Sequence, residues 1–163
     1  HINSADSAQD LVNATKYFPE GNRGFTPFSK AGGFNNNNVS SYIERSINET
    51  LNIIIIESKE GLDNLEQIVS IKNIDVVYFG AYDLSQALGF PSEVKHPNVI
   101  KAIKEGIEIV NKSGKCAGGF VAQSKEDIKW LLDMGIRFIT YDVDSSILYN
   151  HINNVTEWFN SEL

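Results

Sequence analysis

Apolar positions along this chain fall into two alternating kinds of segment. Short unbroken runs have the length and the β-branched and aromatic content of strands buried on both faces. They are Leu51 to Ile56, Val76 to Phe79, Ala117 to Val121 and Phe138 to Tyr141. Between them the spacing is helical. Leu62, Leu65, Ile68 and Val69 share one face, and Ile100, Ile103, Ile107 and Val110 share another, with Pro97 suited to a helix start and Gly114 to its stop. Ser124 and Asp127 form a capping pair before Ile128, Leu131 and Leu132, and Gly135 closes that helix. Leu148, Ile152, Val155 and Phe159 recur at helical spacing near the end. Upstream, Ser4 to Tyr17 reads as a helix and Phe18 to Val39 as an irregular Gly- and Asn-rich loop. The Asn35 to Asn38 run within it is a polar tract without evident chemistry.

Strand and helix in alternation predict a parallel sheet covered by helices. An open dinucleotide-binding sheet would need a Gly-rich turn after its first strand, and Glu57-Ser58-Lys59-Glu60-Gly61 is not one. A carboxylate ends that strand instead, and the next ends in Gly80-Ala81-Tyr82-Asp83. Polar groups at successive strand C-termini are characteristic of the (β/α)8 TIM barrel, whose active site lies on that face. Four strong strands are visible where the barrel has eight. The expected fold is therefore α/β, the C-terminal half of a TIM barrel, with residues 1–163 forming one domain portion.

Composition narrows the function. The 163 residues carry a formal net charge of -7 with only 14 Lys plus Arg, which argues against a nucleic-acid surface. A single cysteine, Cys116, excludes a disulfide framework and suits the cytoplasm. No apolar run approaches the roughly 18 residues of a membrane span. The chain opens with His1, without a signal peptide or initiator Met, so it is expected to begin inside a longer product. The sequon Asn48-Glu49-Thr50 has no weight without secretion.

Glu57 and Asp83 follow successive predicted strands. Neighbouring parallel strands lie about 4.8 Å apart, so both carboxylates can reach one ion at the barrel mouth. Two carboxylates form a hard oxygen site of the kind that Mg²⁺ or Mn²⁺ prefers, with positions left for water and substrate. From spacing alone, a second reading stands beside it: both acids cap the helices that follow.

Longer stretches around the pair resemble a known family. Glu57-Ser58-Lys59-Glu60-Gly61-Leu62-Asp63-Asn64-Leu65, then Ile74 to Phe79 and Gly80-Ala81-Tyr82-Asp83-Leu84-Ser85, resemble the HpcH/HpaI aldolase and citrate lyase family. There a strand-ending Glu precedes an Asn-Leu helix, and the next strand ends in Gly-Pro-x-Asp-Leu-Ser. Leu88-Gly89, His96-Pro97, Gly114-Lys115 and Asp144 also match, and Tyr17-Phe18-Pro19-Glu20-Gly21-Asn22-Arg23-Gly24 is similar to the family's Tyr-Pro-Pro-x-Gly-x-Arg-Gly loop. The resemblance covers nearly the whole chain, and the Asp-Leu-Ser block is its most specific part.

The resemblance implies a class II aldolase or lyase that uses Mg²⁺ or Mn²⁺, with Co²⁺ as an alternative. It would cleave or form a C–C bond of 4-hydroxy-2-oxoacids or 2-keto-3-deoxy sugar acids through a pyruvate enolate. Glu57 and Asp83 match the metal-ligating carboxylates. Gly80, Ala81, Tyr82 and Asp83 match the loop that holds the ketoacid carboxylate. Implied partners are a ketoacid, an aldehyde, the N-terminal half-barrel and further subunits, the last helix packing on a neighbour. The family's catalytic His and keto-binding Arg belong to strands upstream of this chain, so these residues alone are expected to be inactive. His1, where a preceding strand would end, is not assigned that role.

Two departures stand out. Ile55-Ile56-Glu57 replaces the family's Gln-Ile-Glu, and Ala81 replaces its Pro. They keep open a non-catalytic homologue that binds metal or ketoacid. A citrate-lyase-like enzyme acting on an acyl-thioester is a further alternative.

Other residues have structural expectations. His96 is a helix cap or loop residue, His151 a surface residue, Asp144 an N-cap, and Cys116 inert core. Trp130, Trp158 and Tyr42 are expected to pack helices onto the sheet. Arg23 serves either an anionic substrate or its own tight loop. A Schiff-base mechanism would need a lysine inside a strand. Lys115 reaches only the entrance of the third.

Overall fold

The computed structural model of the chain describes residues 1–35 and 39–163. Four parallel strands, β1 (Ile53–Ile56), β2 (Val76–Phe79), β3 (Cys116–Ala122) and β4 (Phe138–Tyr141), form one sheet in chain order. Helices α1 (Ala5–Thr15) and α2 (Val39–Glu49) precede it. Helices α3 (Lys59–Asp63), α4 (Leu65–Ser70), α5 (Ala81–Ala87), α6 (Pro97–Lys112), α7 (Lys125–Asp133) and α8 (Asp144–Ser161) alternate with the strands. No helix among the described residues is long and apolar enough to cross a membrane.

Register explains the core. Ile54, Val77 and Ala117 align on one face of the sheet, as do Ile56 and Phe79, and all five are fully buried beneath the helices. Gly106 lets α6 come down onto this layer: a Cβ there would lie 2.7 Å from the Phe79 ring. The opposite face carries Ile53 and Ile55, which are 38% and 39% exposed, and Val121 at 41%. Burial on both faces, expected from the continuous apolar runs, is complete on the helix side and only partial on the other, where Val76 is buried but Ile53, Ile55 and Val121 are not. The inner face of a barrel is filled by side chains from strands all round the ring, and the four strands here form a single layer.

Boundaries shift for local reasons. Strand β1 starts at Ile53 rather than Leu51, because Asn52 is buried and tied down. Its N–H donates to Asp75 Oδ2 at 2.7 Å, and its side-chain amide donates to the Asn73 carbonyl at 2.7 Å. The helix expected around Leu62 to Val69 breaks into α3 and α4 at Asn64, whose side chain turns away to the Asn3 carbonyl. Ser4 caps α1, reciprocally with Ser7. Within the expected loop from Phe18 to Val39, Lys30–Asn35 makes a short 3-10 stretch and Val39 opens α2. Asn36 to Asn38, the rest of the polar run, lie outside the described residues.

Several expectations about single residues are met. Ser124 Oγ accepts from Asp127 N–H at 3.0 Å, and Gly114 and Gly135 end their helices at positive φ. His96 caps α6, with Nδ1 accepting from Asn98 N–H and its ring stacked on Phe90 at 3.6 Å. Others are corrected. Val143, not Asp144, occupies the N-cap of α8, and Asp144 is already helical. Trp158 is 62% exposed, because no residue of α8 is buried. Tyr42 packs on Phe25 rather than on the sheet, while Trp130 meets Phe120 edge-on at 5.2 Å. Cys116 is half-buried at the start of β3.

Candidate active site

Glu57 directly follows β1 and is partly buried at the C-terminal edge of the sheet, its side chain 27% exposed. Asp83 is not at a strand end as expected. Strand β2 passes through Gly80 straight into α5, and Asp83 sits in that helix's first turn. Gly80 joins the two. Its N–H donates to the Ile56 carbonyl at 3.0 Å, and a Cβ on it would lie 2.9 Å from Glu57 Cβ and 3.1 Å from Glu57 Oε2. The missing side chain is the space that the Glu57 carboxylate uses, and Oε2 faces the Gly80 loop. Leu84 makes the first intrahelical bond of α5, to the Gly80 carbonyl. The N–H groups of Ala81, Tyr82 and Asp83 consequently have no acceptor within the helix.

A contact that the sequence reading did not assign lies on the other side of Glu57. His1 Nδ1 is 3.1 Å from Glu57 Oε1. Apart from this pair, no cluster supports the acids: among the described residues, no three His, Cys, Asp or Glu side chains come together.

Beside the Gly80 to Asp83 loop, between the ends of β2 and β3, lies a cavity of about 300 Å³. Tyr78, Tyr82, Phe120 and Trp130 form its walls, with Lys95, Gln123 and Asp127 at its polar side. Lys95 Nζ is 3.3 Å from Asp127 and lies over the Trp130 ring at 5.2 Å. Asp127 is held below the usual carboxylate range, first by the Gln123 N–H, then by the Ser124 hydroxyl and Lys95. Asp142, at the end of β4, is likewise held low, chiefly by the Val143 N–H and then by Ser146. Phe120 reaches the cavity because β3 is irregular. The pairing with β4 shifts between Gly118 and Val121, Phe120 adopts a φ of 57°, and the Tyr78 hydroxyl donates to its carbonyl at 3.0 Å. A bulge of this kind re-aims a side chain beside a site, and the Gly118-Gly119 pair was its only sequence signal.

Residues set apart from this centre stay apart. The Arg23 guanidinium lies 5.0 Å over the Tyr17 ring and its backbone N–H donates to the Lys16 carbonyl, which fits its loop-holding role. Burial raises Tyr17 above the usual phenol value, against an opposing pull from Arg23. Lys115 donates to the Ile74 carbonyl at the opposite end of the strands, and burial lowers its pKa.

Parallel β/α units in unbroken order, with polar groups gathered at the strand C-termini, define part of a TIM barrel. The chain belongs to the HpcH/HpaI aldolase/citrate lyase family, whose pattern matches residues 1–151. It is similar to 2-keto-3-deoxy-L-rhamnonate aldolase of Escherichia coli O157:H7, 32% identical over 161 residues, which are 98% of this chain and 59% of that one. It is also similar to 4-hydroxy-2-oxo-heptane-1,7-dioate aldolase of Escherichia coli (strain ATCC 8739), 31% identical over 148 residues, 90% of this chain and 55% of that one. The chain thus spans less than two thirds of these relatives. Two solved structures share the fold. A family member from Burkholderia cenocepacia J2315 superposes with a TM-score of 0.88 at 24% identity, covering 98% of this chain and 63% of that one. Citrate synthase SbnG gives 0.85 at 23%, covering 99% and 61%.

Proposed function

We propose that this chain supplies the metal- and ketoacid-binding part of a class II aldolase. The enzyme would act on 4-hydroxy-2-oxoacids or 2-keto-3-deoxy sugar acids and break or form the C–C bond through a pyruvate enolate. The observation that carries this reading is the seat of the Glu57 carboxylate over Gly80, which turns Oε2 towards the loop bearing Asp83. Two carboxylates without soft neighbours fit a hard divalent cation such as Mg²⁺ or Mn²⁺. With only two protein donors, the other positions fall to water and the ketoacid. When bound, the ion supplies Lewis-acid stabilisation of negative charge on the ketoacid oxygen.

The chain's own groups do the rest of the holding. The free N–H groups of Ala81, Tyr82 and Asp83 receive the ketoacid carboxylate, and Gly80 keeps that loop against Glu57. Residues 1–163 act as one domain portion, completed by a partner half-barrel that carries the proton-transfer His and keto-binding Arg. The exposed apolar face of α8 docks on a neighbouring subunit, and the enzyme works in the cytoplasm.

A non-catalytic homologue is the second reading, favoured by Ile55, an apolar residue on the inner face beside the site. Ala81 lends it no support, since α5 starts normally at Ala81 and buries it. Calorimetric titration of the full-length protein with Mn²⁺ tests the metal assignment. Wild type should bind one ion per subunit, and Asp83→Asn at least tenfold more weakly. Equal affinity in both would remove Asp83 from the site.

A further inference from the structure

We propose that His1 is a positioning residue for Glu57: its imidazole takes one carboxylate oxygen and leaves the other aimed at the cation site. This rests on the reading of Glu57 as a ligand. The two oxygens of Glu57 have different surroundings. Oε1 lies 3.1 Å from His1 Nδ1, whereas Oε2 lies towards Gly80, 3.1 Å from where a Cβ would be. A carboxylate free to rotate would exchange these positions. One drawn to the imidazole through Oε1 leaves Oε2 turned towards the Gly80 loop.

His1 is itself placed by three anchors, so the contact is not that of a loose end. Ile2 N–H donates to the Ile55 carbonyl at 2.9 Å, running this segment along the open edge of β1. The Ile2 side chain is buried. Asn3 then locks to the start of the next unit, its Oδ1 accepting from the Ser58 hydroxyl at 2.7 Å and its carbonyl from the Asn64 amide at 2.8 Å. With residues 2 and 3 fixed in this way, the His1 side chain reaches along the edge to Glu57. The imidazole side chain is 56% exposed, so it contributes little packing of its own. Partners that orient a ligating carboxylate typically contribute about 10- to 100-fold in metal affinity.

Manganese titration of the full-length protein, with free Mn²⁺ read by electron paramagnetic resonance, tests this without recourse to turnover. His1→Phe should weaken Mn²⁺ binding by about 10-fold or more while the urea midpoint stays at the wild-type value. His1→Gln, which keeps an N–H donor, should recover most of the loss. Unchanged or tighter binding in His1→Phe would overturn the proposal, the latter by showing that His1 competes with the ion. Glu57→Gln, measured alongside, separates the two layers. If it abolishes binding while His1→Phe leaves the affinity unchanged, the role of His1 falls and the metal site stands. If neither substitution changes binding, both fall.

Discussion

Replacing Gly80 by Ala is the sharpest perturbation of this site, because one methyl group would enter the space that the Glu57 carboxylate occupies. The new Cβ would stand 2.9 Å from Glu57 Cβ, 3.1 Å from Oε2 and 3.5 Å from Ile55 Cγ2. Carbon atoms rest about 3.5–4.0 Å apart, so the Glu57 stem must retreat by about 0.6 Å or more. Overpacking of that size costs about 1–3 kcal/mol. An opposing gain of about 0.4–1 kcal/mol comes from the stiffer unfolded chain, since Gly80 has a φ of -77° that alanine tolerates. The net expectation is about 1–2 kcal/mol of destabilisation.

Metal affinity should suffer more than stability, because the atoms displaced are those of the proposed ligand. A loss of tenfold or more is expected, and each tenfold corresponds to about 1.4 kcal/mol. Urea denaturation at constant m-value gives the first quantity, and Mn²⁺ titration the second. Gly24→Ala is the matched control: nothing lies within 4 Å of that position, so it should show only the unfolded-chain gain of about 0.4–1 kcal/mol and an unchanged Mn²⁺ affinity. A Gly80→Ala protein with wild-type stability and wild-type affinity would refute the packing of Glu57 over the β2 loop, and with it the geometry on which the functional reading rests.

Three further outcomes follow from particular contacts. Lys16, only 5% exposed, donates to the Ile47 and Thr50 carbonyls at 2.9 Å each, closing the end of α2. Lys16→Met should therefore cost about 2 kcal/mol in chemical denaturation, and a neutral variant would contradict this. Asp127 is held below its ordinary value of 3.8, so its contribution to stability is complete above that pH and is lost as pH falls through the lower folded value. The stability gap between wild type and Asp127→Asn should be constant well above pH 3.8 and narrow as pH falls through that value towards the lower folded one; a gap indifferent to acid would be contrary. Residues 1–163 expressed alone should self-associate through the bare sheet face and through Leu148, Ile152, Val155 and Phe159 of α8, all exposed. A stable monomer in sedimentation that binds no hydrophobic dye would count against both surfaces.

Strand order and helix alternation were legible because each strand is a short, continuous apolar run bounded by polar residues. That continuity hid the two faces. Ile53 and Ile55 are indistinguishable in sequence from Ile54 and Ile56, yet only the second pair is covered by helices. Helix α2 went unread because its apolar residues are sparse and it follows a Gly- and Asn-rich loop. Helix α5 went unread for the opposite reason: it begins one residue after Gly80, so a chemically informative motif was taken as irregular chain when it is a helix start.

The candidate site was legible where chemistry is local and silent where it depends on the sheet edge. Glu57 stands out because a carboxylate ends a run of four isoleucines, and Asp83 because the Asp-Leu-Ser block is specific. Neither pattern indicates which oxygen faces which neighbour. That follows from edge pairing between residues far apart in the chain, Ile2 against Ile55, which places an imidazole beside Glu57. Phe120 was similarly hidden, since only the bulge at Gly118-Gly119 turns it into the cavity. Ala81 shows the converse. In sequence its replacement of the family's proline kept a non-catalytic homologue open, but at the first position of a helix proline is favoured because its fixed φ suits the turn. Alanine there keeps an N–H that proline would lack, so this departure adds a donor to the loop proposed to hold the ketoacid.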